Sequence, residues 1–174
     1  MKIKNIFITG KPGCGKTTLI KEILKKLKSK ISGFYTEEIR EKGERIGFKI
    51  KTLDKKEGIL AHINLKSRYQ LGKYKVNLKD LEEIGVLAIK RAIKEKKIVL
   101  IDEIGKMELF SVRFQDAVIK ALESKKKVLG TIPVKTIPFI ERIKAKTPVD
   151  IILVTIQNRD SLPDEILSRI LSQS

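Results

Sequence analysis

The chain contains 174 residues and carries a formal net charge of +17, with 38 basic against 21 acidic side chains. A domain of this length buries about 70% of its unfolded surface and needs neither disulfides nor a structural metal, and one cysteine excludes an internal disulfide. The single cysteine, with no signal core and no apolar run long enough to cross a bilayer, predicts a cytoplasmic protein with no membrane partner.

The first predicted elements are a strand over residues 3–9 and a helix over residues 17–28, joined by a glycine-rich segment. This segment has the residue types, spacing and strand–loop–helix setting of a phosphate-binding P-loop. Its candidate nucleotide-binding residues are Gly10, Lys11, Pro12, Gly13, Cys14, Gly15, Lys16, Thr17 and Thr18. The glycines allow successive backbone N–H groups to point inward, and the helix N-terminus reinforces the anion site. The segment therefore predicts a binding site for a triphosphate.

Three side chains of this loop have distinct predicted roles. Lys16 is a candidate catalytic residue that reaches the β- and γ-phosphates as a point charge. The Thr17 hydroxyl is a candidate metal ligand, completing the coordination of a Mg²⁺ ion that bridges those phosphates. Cys14 sits at a helix N-terminus, where thiols can become reactive, so redox control is one interpretation. The favoured one is a small neutral residue whose backbone N–H matters.

Residues 33–36 are predicted to start the next strand. Shorter alternating segments follow from residue 37 to residue 63, with turn signals at residues 42–44 and 54–56, and predict antiparallel hairpins. The later predicted elements are a helix over 77–95, a strand over 97–101, a helix from the Ser111 cap to 123, a strand over 128–131, a helix over 133–144, a strand over 151–155 and a helix over 163–171. Strands alternating with helices predict an α/β fold, with a mainly parallel central sheet flanked by helices and added antiparallel strands. No long linker interrupts the pattern, so residues 1–174 are expected to form a single domain.

An acidic pair, Asp102 and Glu103, follows directly after an apolar predicted strand, as in a Walker B element. Because parallel strands bring their carboxyl ends to one edge of a sheet, we expect the pair to face the P-loop across a crevice. Asp102 is predicted to hold Mg²⁺, and Glu103 to activate an attacking water. In the next turn, Gly105 permits close approach of the backbone to the nucleotide. Lys106 either adds positive charge beside the γ-phosphate or faces solvent.

Other candidates lie at the same predicted sheet edge. Thr131 ends a strand and lies beside the acidic pair if the sheet is ordered as in RecA-like folds. Its hydroxyl either bonds the γ-phosphate or the attacking water or has no special role. Asn158 and Arg159 follow the last strand, where P-loop proteins often meet the base or ribose, and Arg159 either stacks on the base or caps a turn. The arginines considered as a charge-neutralising finger, none of them favoured, are Arg40, Arg113 and Arg142. A site without such a finger is expected to hydrolyse slowly unless a partner supplies one.

Residues 102–109, DEIGKMEL, together with the P-loop resemble the thermophilic nucleoside-triphosphatase family, whose animal relatives are called cancer-related nucleoside triphosphatases. Residues 33–40, 43–48 and 155–160 resemble that family's other stretches in the same order, so the resemblance spans nearly the whole chain. It implies a RecA-like fold and Mg²⁺-dependent hydrolysis of ATP, GTP and other nucleoside triphosphates with loose base selectivity. It also favours base contact by Asn158 and Arg159. Lys11 departs from the family pattern, where a small or apolar residue is expected.

The positive charge raises the question of a nucleic-acid partner. Lysines are scattered along the chain, and their tightest groups, 25–28 and 125–127, fall at predicted helix ends, where the helix dipole favours them. Aromatic residues make up only 5%, with no tryptophan, so the stacking platforms of a single-strand binder are not visible. A solvated, thermophile-like surface is therefore favoured, and nucleic-acid binding is possible but not favoured.

Two alternatives to a triphosphatase remain open from the residues. One is a kinase acting on a nucleotide or on a nucleic-acid 5′ end, which would use the same P-loop and place its anionic acceptor on the basic surface. The other is a nucleotide-dependent switch that binds RNA or a protein and hydrolyses only when stimulated. No feature of the sequence indicates an oligomeric state.

Overall fold

The structure is a computed structural model that describes residues 4–95 and 98–172. Its strands are β1 (Asn5–Thr9), β2 (Ile31–Glu41), β3 (Glu44–Thr52), β4 (Glu57–His62), β5 (Gln70–Leu71), β6 (Tyr74–Val76), β7 (Ile98–Ile101), β8 (Val128–Thr131) and β9 (Val149–Leu153). Its helices are α1 (Lys16–Leu27), α2 (Leu78–Asp80), α3 (Leu87–Lys94), α4 (Val112–Glu123), α5 (Pro138–Lys146) and α6 (Leu162–Leu171). A π-helical stretch, Leu81–Val86, joins α2 to α3, and short 3-10 turns occupy Lys28–Lys30 and Glu108–Phe110.

All nine of these strands form one sheet in the order β5-β6-β4-β3-β2-β7-β8-β1-β9. From β2 to β9 the neighbouring strands are parallel, whereas β3, β4, β5 and β6 pair in antiparallel fashion on the other side of β2. The predicted α/β class, with a parallel centre and added antiparallel strands, is confirmed. The sheet places β8 between β7 and β1, so the ends of β7 and β1 are one strand apart at the same edge.

The central strands are apolar along their whole length because helices cover both faces of the sheet. Successive residues of β1 alternate between the faces: Phe7 packs with Phe34 and Phe114 on one side, and Ile8 packs with Leu19 on the other. The first side is covered mainly by α3, α4 and α5, and the second by α1 and α6. Two apolar layers thus hold the strand ends that carry the candidate site in a fixed arrangement. Among the described residues, no helix is both long and apolar enough to cross a membrane.

Three predicted elements differ from the observed ones. The helix predicted over 133–144 begins only at Pro138, because the residue before a proline is driven into the extended region and Ile137 has φ −128° and ψ 149°. The last strand lies over Val149–Leu153 rather than 151–155, since its pairing with β1 starts at Asn5 and Val149. The helix predicted over 77–95 is present but contains the π-helical stretch. Residue 97 of the strand predicted over 97–101 lies outside the described residues.

Gly33 lies where β2 pairs with β7, the strand that delivers the acidic pair. Its φ is +137°, and a Cβ atom there would lie 2.1 Å from the Leu100 carbonyl oxygen. Gly33→Ala is therefore expected to destabilise the fold by about 3 kcal/mol or more, measured by chemical denaturation. Gly43→Ala is the matched control, because Gly43 also has a positive φ but a Cβ there would meet no atom within 4 Å. Equal losses in the two variants would contradict the role of the backbone contact.

Candidate active site

The glycine-rich loop connects β1 to α1 and has the backbone geometry that an anion site needs. Gly13 and Gly15 have φ of 77° and 108°, which only glycine adopts without strain, and Cys14 donates its N–H to the Lys11 carbonyl at 3.1 Å. At Gly10, a Cβ would lie 2.8 Å from the Val154 carbonyl oxygen, so the loop can start only with glycine. The loop therefore makes a tight turn directly before the first turn of α1, the place where a helix N-terminus favours an anion.

The side chains of this loop divide between the core and the crevice. Cys14 is buried and packs in the apolar layer beneath α1, where a small side chain fits. Lys16 is half-buried, and its ammonium donates a hydrogen bond to the Gly10 carbonyl, which holds it close to the loop. Thr17 and Thr18 are exposed on the first turn of α1. The Lys16 ammonium thus stays beside the backbone of the loop.

Asp102 follows β7 and is 8% exposed. Its Oδ1 accepts a hydrogen bond of 2.5 Å from the Thr131 hydroxyl at the end of β8. Burial raises the pKa of the Asp102 carboxyl, while the Thr131 bond and the Lys16 charge act in the opposite direction. Because β7, β8 and β1 are parallel neighbours, Asp102 and the P-loop follow their strands at the same edge of the sheet. Thr131 thus orients Asp102, an interaction that could be seen only once β8 was known to be its neighbour.

Glu103 is the second carboxylate of the crevice. Burial, and after it the neighbouring Asp102 charge, raise the pKa of Glu103 to about 7, and the Lys16 ammonium opposes them. A carboxylate whose pKa lies near neutrality is well matched to accepting a proton from water. Lys106, in contrast, is exposed, and the ammonium that acts on both carboxylates is that of Lys16.

The turn after the acidic pair packs directly against Glu103. Gly105 is buried, and a Cβ atom there would lie 2.4 Å from Glu103 Oε1. The same turn carries Glu108, which is 4% exposed and accepts the Gly105 N–H at 3.2 Å. Burial and the Glu103 charge raise the pKa of Glu108 well above its usual range. Sequence reasoning assigned Glu108 no role, and its only local signal is an acidic residue between the apolar Met107 and Leu109.

The residues after β9 reach the P-loop from the other side. The Asn158 side chain accepts the Thr155 N–H and donates to the Leu153 carbonyl, both at 2.8 Å, so it shapes its own loop. Arg159 lies against the P-loop, since a Cβ at Gly15 would be 3.2 Å from Arg159 Cδ. Arg159 and the start of α1 border a cavity of about 220 Å³, lined by Gly15, Thr18, Leu19, Glu22, Arg159 and Asp160.

The three arginines considered as a finger are engaged elsewhere. Arg40 pairs with Glu38 at 2.7 Å, and Arg113 lies 3.5 Å from Glu82. The Arg142 guanidinium sits over the Phe139 ring, 5.5 Å from its centre. Lys16 is therefore the cation that the described residues supply to the two carboxylates of the crevice.

A phosphate-binding loop after the first parallel strand, facing an acidic pair at the end of a nearby strand, defines a P-loop nucleotide-binding protein. A family model described as NTPase matches residues 5–167. A Thermotoga relative named nucleoside-triphosphatase THEP1 is 56% identical over 163 residues, covering 94% of this chain and 93% of the relative. A mouse relative named cancer-related nucleoside-triphosphatase homologue is 37% identical over 185 residues, covering 97% of this chain and 97% of the relative.

Solved structures agree with the sequence relatives. The crystal structure of THEP1 from Aquifex aeolicus superposes with a TM-score of 0.88 at 38% identity, covering 96% of this chain and 99% of that one. The solution structure of a human cancer-related nucleoside triphosphatase gives a TM-score of 0.85 at 37% identity, covering 98% and 99%. The chain belongs to this nucleoside-triphosphatase family, which confirms the resemblance carried by residues 102–109 and the P-loop. It is a nucleoside-triphosphate hydrolase.

Proposed function

We propose that the protein hydrolyses ATP, GTP and other nucleoside triphosphates to the diphosphate and inorganic phosphate in a Mg²⁺-dependent reaction with broad base specificity. The observation that carries the proposal is the position of Glu103, half-buried directly after Asp102 at the sheet edge that also carries the P-loop. This arrangement supplies a cation for the phosphates, a carboxylate for a metal and a second carboxylate for water. A cytoplasmic location remains a prediction based on the single cysteine.

The donor set of the crevice fits magnesium. Thr17 offers a hydroxyl oxygen at the start of α1, and Asp102 offers a carboxylate whose other side is held by Thr131. No cluster of three histidine, cysteine or acidic residues suited to a metal occurs in residues 4–95 and 98–172. Such a sparse set of hard oxygen donors suits Mg²⁺, which is usually held by one or two protein oxygens together with substrate phosphates. When bound, Mg²⁺ would neutralise negative charge on the β- and γ-phosphates.

Glu103 and Lys16 account for the chemical step. The Glu103 carboxylate orients a water and accepts its proton as the water oxygen bonds to the γ-phosphorus. The bond between the γ-phosphorus and the bridging oxygen breaks, leaving a diphosphate and inorganic phosphate. Lys16 and the loop amides stabilise the charge that develops on the phosphate oxygens, in a site where the donors are already in place.

The experiment that separates hydrolysis from the kinase alternative uses ATP radiolabelled at the γ-phosphate. The protein is incubated with Mg²⁺ and with nucleosides, nucleotides or oligonucleotides as acceptors. We expect the label in inorganic phosphate whatever acceptor is present, and a panel of triphosphates to be hydrolysed at similar rates. Label transferred to any acceptor would contradict the proposal, and so would turnover that is unchanged when EDTA removes the metal.

Arg159 is proposed to contact the base, with Asn158 holding the loop that carries it. Arg159→Ala is expected to weaken ATP binding by about 5-fold, because a cation over an aromatic ring contributes ~1 kcal/mol to the binding free energy. Binding is measured by titration calorimetry, and inorganic triphosphate, which lacks a base, is the matched control. An equal loss for triphosphate would contradict base contact and place the Arg159 guanidinium on the phosphates.

A further inference from the structure

The carboxyl group of Glu108 is buried in the crevice, yet the proposed reaction gives it no task. It is 4% exposed, and the charges that act on it are those of Glu103 and Asp102, both negative. Within the described residues it has no lysine or arginine partner. Burying an acid beside two other acids is costly, because desolvation and repulsion both oppose it. A simple packing role would be filled at lower cost by an apolar residue.

The contacts of Glu108 point to the turn between it and Glu103. Glu108 Oε2 accepts the N–H of Gly105 at 3.2 Å, a buried bond. Further backbone bonds close the turn, from Leu109 N–H to the Gly105 carbonyl and from Ser111 N–H to the Glu108 carbonyl, each at 3.1 Å. The N–H of Gly105 would lose this partner if Glu108 were shortened, at a cost typical of an unsatisfied buried donor. Glu108 therefore fixes where Gly105 sits.

Gly105 lies between the side chains of Glu103 and Glu108. Its absent Cβ would lie 2.4 Å from Glu103 Oε1, 3.0 Å from Glu103 Cγ and 3.0 Å from Glu108 Oε2. The Glu103 side chain therefore packs directly against the backbone of Gly105. If the Gly105 backbone shifts, the direction of the Glu103 carboxyl group changes, while the P-loop keeps its position.

We propose that Glu108 is a positioning residue, which holds Gly105 against the Glu103 carboxyl and so fixes the direction in which that carboxyl meets the attacking water. The inference rests on the proposed role of Glu103. It requires from residue 108 an acceptor oxygen at the end of a side chain of this length, and no negative charge. Glutamine meets that requirement and alanine does not.

The test compares Glu108→Ala with Glu108→Gln in the full chain, measuring kcat, KM and ATP affinity at saturating Mg²⁺. Glu108→Ala is expected to lower kcat by about 10- to 100-fold, as small misplacements of catalytic groups do, with ATP affinity unchanged within about two-fold. Glu108→Gln is expected to keep most of the wild-type kcat. Glu82→Gln is the matched control, because Glu82 contacts Ser111 just beyond the same turn and should leave kcat unchanged. Equal losses in the two Glu108 variants would overturn the proposal, and so would a wild-type kcat in Glu108→Ala.

Two further variants keep the test decisive. If Glu108→Ala does not fold, Gly105→Ala takes its place, since its Cβ would press on Glu103 while Glu108 is retained; wild-type kcat in that variant would overturn the proposal. In a Glu103→Gln background, adding Glu108→Ala is expected to cause no further loss in single-turnover rate, because residues that act through one another are not additive. Losses that multiply would overturn it. A Glu103→Gln variant with wild-type turnover would instead refute the proposed role of Glu103, on which this inference rests.

Discussion

Lys16→Ala is expected to lose tight binding of Mg²⁺-ATP and with it measurable turnover. The Lys16 ammonium is the cation that acts on both Asp102 and Glu103, and it is held beside the loop amides by the Gly10 carbonyl. Its removal leaves the triphosphate in the crevice without that charge. Losing one partner of such a charge pair costs about 2–5 kcal/mol, which corresponds to a fall in affinity of roughly 30- to 4,000-fold. Titration with a fluorescent ATP analogue measures this loss.

The control for Lys16 is Lys21→Ala on the same helix. Lys21 forms an exposed ion pair with Glu37 at 3.1 Å, and such pairs contribute little. The control variant should bind ATP as the wild type does, which separates a specific contact from a general loss of positive charge. ATP affinity that falls equally in both variants would show that the net charge of the surface, and not Lys16, attracts the nucleotide.

Glu103→Gln is expected to lower kcat by about 10²- to 10⁴-fold, the range typical for the loss of a general base, while ATP affinity stays near that of the wild type. Glutamine keeps the size of the side chain and its contact with Gly105 but cannot accept a proton at neutral pH. The measurement is single-turnover phosphate release alongside equilibrium ATP binding.

The control for this substitution is Glu82→Gln, which removes a carboxylate outside the crevice. Turnover of Glu103→Gln within a few-fold of the wild type would show that Glu103 does not direct the water. A loss of ATP affinity as large as the loss of kcat would assign Glu103 to binding instead.

The parallel core and the main part of the crevice were predictable because their signals are local. Gly13 and Gly15 are required by the backbone of the loop itself, and Asp102 directly follows a strand that is apolar throughout. Sequence pattern and strand direction were then sufficient to place the two at one edge. The start of α5 was missed for an equally local reason, since Pro138 forces Ile137 out of the helix.

The remaining contacts depend on which strands are neighbours and on how a turn folds back. Thr131 reaches Asp102 only because β8 lies beside β7, an order that no local pattern specifies. Glu108 is buried because the 3-10 turn returns it beneath Gly105, and surface exposure is the usual expectation for a glutamate. The Asn158 side chain bonds within its own loop, and its contact with a base stays a prediction. Such long-range contacts need the tertiary structure.

In the proposed reaction, water attacks the γ-phosphorus of a triphosphate held between Lys16 and Glu103. The most direct test is one turnover of Mg²⁺-ATP in water labelled with a heavy oxygen isotope, followed by mass spectrometry of the products. We expect the heavy isotope in the released inorganic phosphate and none in ADP. Label in the nucleotide product, or a phosphoryl group transferred to an acceptor other than water, would contradict it.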